Sequence, residues 1–352
     1  MSGAIDLLRP GIRHLQAYRA ADYVSGFVRL NANETPWRPP GDETRDGLNR
    51  YPDPRPAELT VRLAAHYGVQ PGALLVTRGS SEAIDLLIRS FCEARRDEIV
   101  ICAPTFSMYE FYARIQGAAV RAVPLLREQG YALPVAAIVN QWTAQTKLVF
   151  VCSPNNPTGN QFPERDIDAL CSGLAGRGVV VLDSAYAEFS AKGPGVTLLR
   201  DHDNLVVLRT LSKALGLAAV RCGVLIGRPP LVELLGRVLP PYCFPTTSQE
   251  AVLRYLTDDA RAQLTARLHV LVAERKRMTS ELASVPGVLR VWPSEANFLL
   301  VETGPEGQIV EKARRGGILV RDFSGDPLLP GCVRITVGTP AENDLLMHAL
   351  RA

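Results

Sequence analysis

Lysine is scarce: in 352 residues only Lys147, Lys192, Lys213, Lys276 and Lys312 occur, and arginine carries nearly all the remaining positive charge. A chemistry that needs a primary amine therefore has few places to reside. The seven cysteines (Cys92, Cys102, Cys152, Cys171, Cys222, Cys243, Cys332) are odd in number, scattered and without a C-x-x-C pair. That argues against a disulfide framework and a zinc site and favours a reducing compartment. The five histidines are equally dispersed, with no H-E-x-x-H, so no metal is expected. No apolar run approaches the ~18 residues of a bilayer span, and residues 1–10 show no basic segment followed by an apolar core, which predicts neither membrane insertion nor export. Excess charge is missing as well: 39 Lys plus Arg stand against 36 Asp plus Glu, which gives no overall electrostatic reason to bind nucleic acid or an anionic membrane. G-x-G-x-x-G, G-x-x-x-x-G-K-[ST] and G-x-S-x-G are all absent, and with them the signatures of dinucleotide binding, phosphate-loop hydrolysis and serine hydrolases.

What is present is a chain that is 47% hydrophobic and 352 residues long, enough for about two domains. From residue 70 onward short apolar runs (73–77, 98–102, 120–124, 148–152, 179–182, 205–208, 224–226) alternate with longer helical stretches such as 82–91. The runs are dense in Val, Ile and Leu and do not alternate with polar residues, which is how strands buried on both faces read. A mostly parallel central sheet flanked by helices follows, with ligands expected beyond the carboxyl ends of its strands. After Pro245 the pattern predicts a long connecting helix over 248–282, with Glu274, Arg275, Lys276 and Arg277 on a solvated face. Strands at 287–292, 297–301, 318–321 and 332–337, a helix at 306–315 and a last helix predict a smaller α+β domain. The division is thus an N-terminal arm that joins the small domain or a partner (1–45), a large domain (46–247), and the connecting helix with the small domain (248–352).

Several strand ends deliver polar residues. Arg78-Gly79-Ser80-Ser81-Glu82 opens a helix; Ser80 and Ser81 either cap it or, with the free N–H groups of its first turn, cradle a phosphate. Ser153-Pro154-Asn155-Asn156-Pro157-Thr158-Gly159 is either an ordinary loop or a rigid turn that fixes a side-chain amide. Asp183 closes an apolar run and needs a cationic or protonated partner, a helix cap or a buried ion pair, and Tyr186 follows it. Lys213, after Thr210-Leu211-Ser212, lies among small and apolar residues, where desolvation would fit it to form a Schiff base. Arg221 can clamp a phosphate together with Ser212. Arg334, inside Val333-Arg334-Ile335-Thr336-Val337, demands an anion, and Arg321 either shares it or pairs with Asp322.

In order and spacing, the Gly79-Ser80-Ser81 cradle, Asn155-Asn156-Pro157-Thr158-Gly159, Asp183 with Tyr186, Ser212-Lys213, Arg221 and Arg334 resemble the fold type I pyridoxal-phosphate aminotransferases over nearly the whole chain. Leu30-Asn31-Ala32-Asn33-Glu34, Asn49-Arg50-Tyr51-Pro52 and Leu208-Arg209-Thr210-Leu211-Ser212-Lys213-Ala214 narrow the resemblance to members that work on a phosphorylated amine. It implies a cytoplasmic homodimer that uses pyridoxal 5'-phosphate to exchange an amino group between glutamate and imidazole-acetol phosphate in histidine biosynthesis. Aromatic-amino-acid aminotransferases and a lyase that decarboxylates threonine phosphate share the framework and are the alternatives. By the same resemblance Lys213 would hold the cofactor and shuttle the α-proton, and Asp183 would keep its ring nitrogen protonated. Asn156 and Tyr186 would bind its phenolic oxygen, and Phe106 would stack on its face. Gly79, Ser80, Ser81, Ser212 and Arg221 would hold its phosphate, joined by Tyr51 of the other subunit. Arg334, with Arg321, Tyr18 and Asn33, would bind substrate. The chain departs from the pattern where Ser184 replaces a usual Glu and Phe106 a usual Tyr.

Overall fold

A computed structural model of the chain describes residues 3–22, 24, 27–191, 193, 195–304 and 308–352. Seven strands form the larger sheet: β1 (Leu74–Thr77), β2 (Glu98–Ile101), β3 (Ala119–Ala122), β4 (Thr146–Cys152), β5 (Val179–Asp183), β6 (Leu205–Thr210) and β7 (Gly223–Ile226), in the order β1-β7-β6-β5-β4-β2-β3. Pairing is parallel except at β7, which is antiparallel to both β1 and β6.

The uninterrupted apolar runs have a simple cause. Val179 and Val181 face the helix Ser80–Phe91 with Ile84 and Leu87, while Val180 and Leu182 face the opposite layer with Leu170 and Leu174. Both sets of alternating side chains are buried, so no polar face remains. Register then aligns the strand ends: Cys152 pairs with Asp183, and Asp183 with Leu208. The residues that follow β4, β5 and β6 therefore emerge along one edge.

The smaller sheet is antiparallel, β10-β11-β9-β8, from β8 (Val288–Val291), β9 (Phe298–Thr303), β10 (Arg321–Asp322) and β11 (Cys332–Thr336). Val333 and Ile335 pack with Met278, Leu282, Ala313 and Leu346 of the covering helices. Arg334, between them in sequence, points the other way, over the rings of Phe298 and Phe323.

Four expectations need correction. The stretch 248–282 is two helices, Thr246–Tyr255 and Asp258–Ala283. Leu256 turns into the core, and Thr257 caps the second helix by accepting from the Ala260 N–H at 3.3 Å. Glu274 and Arg275 are not on a solvated face: Arg275 donates to the carbonyls of Ala296 (2.8 Å) and Phe189 (3.2 Å), and Glu274 accepts from Asn343 (2.8 Å). Of 318–321 only Arg321 joins a strand, because the Ile318 N–H is used to close the preceding helix on Ala313. Part of the N-terminal arm packs on the large domain, where Ala4 and Leu8 enter the core beside the helix Ser80–Phe91 and the Arg9 N–H donates to Ser90. Glu306, expected to begin a helix, lies outside the described residues, and that helix runs Ile309–Arg315. Among the described residues no helix is long and apolar enough to cross a membrane.

Candidate active site

A cavity of about 460 Å³ opens where the carboxyl ends of β4, β5 and β6 meet the small sheet, and its wall includes Ser80, Asn156, Asp183, Lys213, Arg221 and Arg334.

One end suits a phosphate. Gly79 is the N-cap of a 12-residue helix at φ 79°, and no side chain caps that terminus. Ser80 and Ser81 are thus not caps; they occupy the first turn and line the cavity with its unclaimed N–H groups. A Cβ on Gly79 would stand 2.8 Å from Nη2 of Arg221, and one on Gly223 would stand 2.6 Å from the Ser80 nitrogen. The two glycines let the helix terminus and the guanidinium converge. Arg221, itself at φ 58°, donates from Nη1 to the Ala218 carbonyl at 2.9 Å and lies 3.5 Å from Ser212 Oγ.

The middle holds Asp183 at the end of β5, only 2% exposed. Tyr109 Oη donates to its Oδ2 at 2.8 Å and the Ala185 N–H to its Oδ1 at 3.2 Å. Burial raises the Asp183 pKa, opposed by these two bonds and by the charges of Lys213 and Arg209. Lys213 opens onto the cavity and is partly rather than fully withdrawn from water, with Nζ 5.6 Å from the centre of the Tyr186 ring. Partial desolvation, then Arg334 and Arg221, lower its pKa, while Asp183 raises it. Tyr186 is buried edge-on against Phe298 at 5.1 Å, and desolvation first, then Cys152, push its pKa up, so its phenol stays protonated. Asn156 is buried, and its Oδ1 accepts from Arg334 Nη1. Phe106 lines the wall, edge-on to Tyr109 at 5.6 Å.

The far end is cationic. Arg321 and Arg334 occupy paired positions on β10 and β11, and both line the cavity with Phe323 and Asp326. Among the described residues neither arginine makes an ion pair, so Arg321 does not pair with Asp322.

Three expected residues lie elsewhere. Tyr51 is half exposed and stacks on Tyr242 at 4.8 Å, Tyr18 lines a separate groove of about 630 Å³, and Asn33 is exposed at φ 55°. Lys192 lies outside the described residues. Tyr109 is the neighbour that sequence reasoning missed. It sits three residues after Phe106, in the first turn of the helix Met108–Gln116, and only its position opposite β5 reveals it.

A helix terminus and arginine for phosphate, a buried acid and an accessible lysine in one cleft of this two-domain fold define a pyridoxal-phosphate enzyme of fold type I. The model of the family "Aminotransferase class I and II" matches residues 28–350, and the chain belongs to that family, whose cofactor is pyridoxal 5'-phosphate. Among curated proteins it is similar to histidinol-phosphate aminotransferase of Stenotrophomonas maltophilia (strain R551-3), with 41% identity over 98% of this chain and 96% of that one. It is likewise similar to histidinol-phosphate aminotransferase of Xanthomonas campestris pv. campestris (strain 8004), with 42% identity over 99% and 98%. Among solved structures, histidinol-phosphate aminotransferase from Sinorhizobium meliloti in complex with pyridoxal-5'-phosphate superposes with a TM-score of 0.76 at 26% identity, covering 86% of this chain and 82% of that one.

Proposed function

We propose that this chain exchanges the amino group of L-histidinol phosphate with 2-oxoglutarate, giving imidazole-acetol phosphate and L-glutamate in histidine biosynthesis. The observation that carries the substrate class is the pair Arg321 and Arg334, facing each other across β10 and β11 without a carboxylate partner among the described residues. Like charges at paired positions are unfavourable until an anion bridges them. Both substrates of this exchange bring one: a phosphate on the first, a carboxylate on the second.

The cofactor fits the residues present. The uncapped helix terminus, with Ser80, Ser81, Ser212 and Arg221, would hold its phosphate, at a glycine whose Cβ would crowd that arginine. Asp183 is buried with only neutral donors bonded to it, so it favours a cationic ring nitrogen. Bound there, pyridoxal 5'-phosphate supplies a carbonyl that condenses with amines and a ring that accepts electrons from the α-carbon. The residues do the rest. Asp183 would hold a proton on the ring nitrogen, Asn156 and Tyr186 would bind the phenolic oxygen, and Phe106 would stack on the ring. Lys213, its pKa lowered, would be the amine that captures this carbonyl with loss of water, and would carry the substrate's α-proton. Ser184 is buried outside the cavity wall, so its departure from the family pattern leaves the ring contacts intact.

The reading includes a homodimer in the cytoplasm. The arm exposes Phe27, Val28, Leu30 and Trp37, apolar surface that a second copy would cover, and Tyr51, Tyr18 and Asn33 would then act at the partner's site. Seven unpaired thiols suit a reducing compartment. The test is to incubate the cofactor-loaded protein with L-histidinol phosphate and 2-oxoglutarate. Glutamate formation supports the reading; release of carbon dioxide from threonine phosphate without use of 2-oxoglutarate replaces it with the lyase.

A further inference from the structure

Tyr109 does not line the cavity itself but touches two residues that do, Phe106 and Asp183. Its ring is fully buried, stacked on Phe150 at 4.7 Å and 15° and edge-on to Phe106 at 5.6 Å. Between these rings its hydroxyl donates to Oδ2 of Asp183 at 2.8 Å, with the Cys152 thiol also within reach. The other carboxylate oxygen takes the Ala185 N–H at 3.2 Å. Lys213 and Arg209 also act on Asp183 and favour its charged form, while Cys152 and Tyr186, whose own pKa values are raised, stand close to it.

We infer that Tyr109 is a positioning residue: its hydroxyl orients the Asp183 carboxylate and keeps it ionised in a buried setting, so that the ring nitrogen of the bound cofactor stays protonated. The inference rests on the proposed cofactor site. The physical case is that burial alone would neutralise an isolated carboxyl, whereas a hydrogen bond to the charged form favours it. Tyr109 is itself held neutral, since burial and Asp183 both push its pKa well above the usual phenol value, so the proton stays on the phenol and the charge stays on the acid. Phe106, a wall residue, leans on the same ring and so couples the stacking surface to the acid.

Tyr109→Phe removes the hydroxyl and keeps the ring. With the cofactor labelled with ¹⁵N in its ring, the wild-type protein should show the shift of a protonated nitrogen at pH 8, and the variant a shift toward the unprotonated value. The kcat of the variant should fall by about ten- to a hundredfold, the worth of one hydrogen bond to a buried charge, with each KM changed by less than about threefold. Reconstitution with the N-methylated cofactor, whose ring charge is permanent, should bring variant and wild type to the same rate. An unchanged ¹⁵N shift, or a defect that persists with the N-methylated cofactor, overturns the role assigned to Tyr109. Failure of the wild-type protein to bind the cofactor at all would instead overturn the site itself.

Discussion

Arg334 of the small sheet donates to Asn156 of the turn that follows β4. A cation and an amide that line one cavity are thereby joined between the small sheet and the large one. A second contact lies beside the first: the Glu295 N–H donates to the Gly159 carbonyl at 2.7 Å, and a Cβ on Gly159 would stand 2.5 Å from Ser294 Oγ and 2.7 Å from its Cβ.

Gly159→Ala should therefore disturb the domain contact as well as the local turn. Gly159 sits at φ 80°, and strain plus overpacking should cost about 1–3 kcal/mol. Urea denaturation measures it. Adding Ser294→Gly removes two of the three closest atoms, so the double variant should recover part of the loss; purely additive effects would show that the contact is not the cause.

Arg321→Gln should raise the KM for histidinol phosphate by about ten- to a hundredfold, the worth of a charge-assisted hydrogen bond to phosphate. Arg321 is not bonded to Asn156 as Arg334 is, so kcat at saturating substrate should change little. Steady-state kinetics in both directions check this, and an unchanged KM removes Arg321 from the phosphate site.

Most of the site was legible from the chain. Strands buried on both faces announce themselves as unbroken Val, Ile and Leu; Lys213 follows one such run among small residues, whereas Asp183 at the end of another also admits a helix cap or a buried ion pair, and only the ordered set of motifs singles it out. What escaped notice depends on packing between distant elements. Tyr109 stands out in no motif until β5 is placed beside it, and Arg275 reads as solvated until the carbonyls of Phe189 and Ala296 meet it. The antiparallel course of β7 leaves no mark in a run as short as 224–226. Tyr18, Asn33 and Tyr51 carry the right residue types, but in a single chain they lie outside the cavity.

Tyr51 gives a test of the dimer. The Glu34 side chain, itself buried, accepts from the Tyr51 N–H at 2.7 Å, from Arg29 at 2.8 Å and from Arg50 at 3.0 Å, so the segment is held in place before any partner arrives. If Tyr51 acts at the neighbour's site, Tyr51→Ala and Lys213→Ala should each be weak or inactive. After subunit exchange, the mixture should regain about a quarter of wild-type activity, because half the dimers are hybrids with one intact site of two. No recovery despite hybrid formation, shown by native mass spectrometry, would place Tyr51 in its own chain's chemistry or in none.

His66 should make the fold acid-sensitive. Burial first, then Arg261 and Arg209, lower its pKa from 6.5 to about 4. Between those values the unfolded chain binds more protons than the folded one, so stability declines as pH drops from 6.5 to 4 and this contribution is flat below that. The loss is at most about 3 kcal/mol, reduced by partial solvent access. Urea midpoints at pH 7 and pH 4.5 should differ less in His66→Gln than in wild type.

Lys213 would be the amine that holds the cofactor. Borohydride reduction of the cofactor-loaded protein, followed by peptide mass mapping, reads it directly. The label should appear on the peptide containing Lys213 and be absent from Lys213→Ala, which should fold normally yet show no turnover. A label on Lys147, Lys276 or Lys312 instead, or an unlabelled wild-type protein, would contradict it.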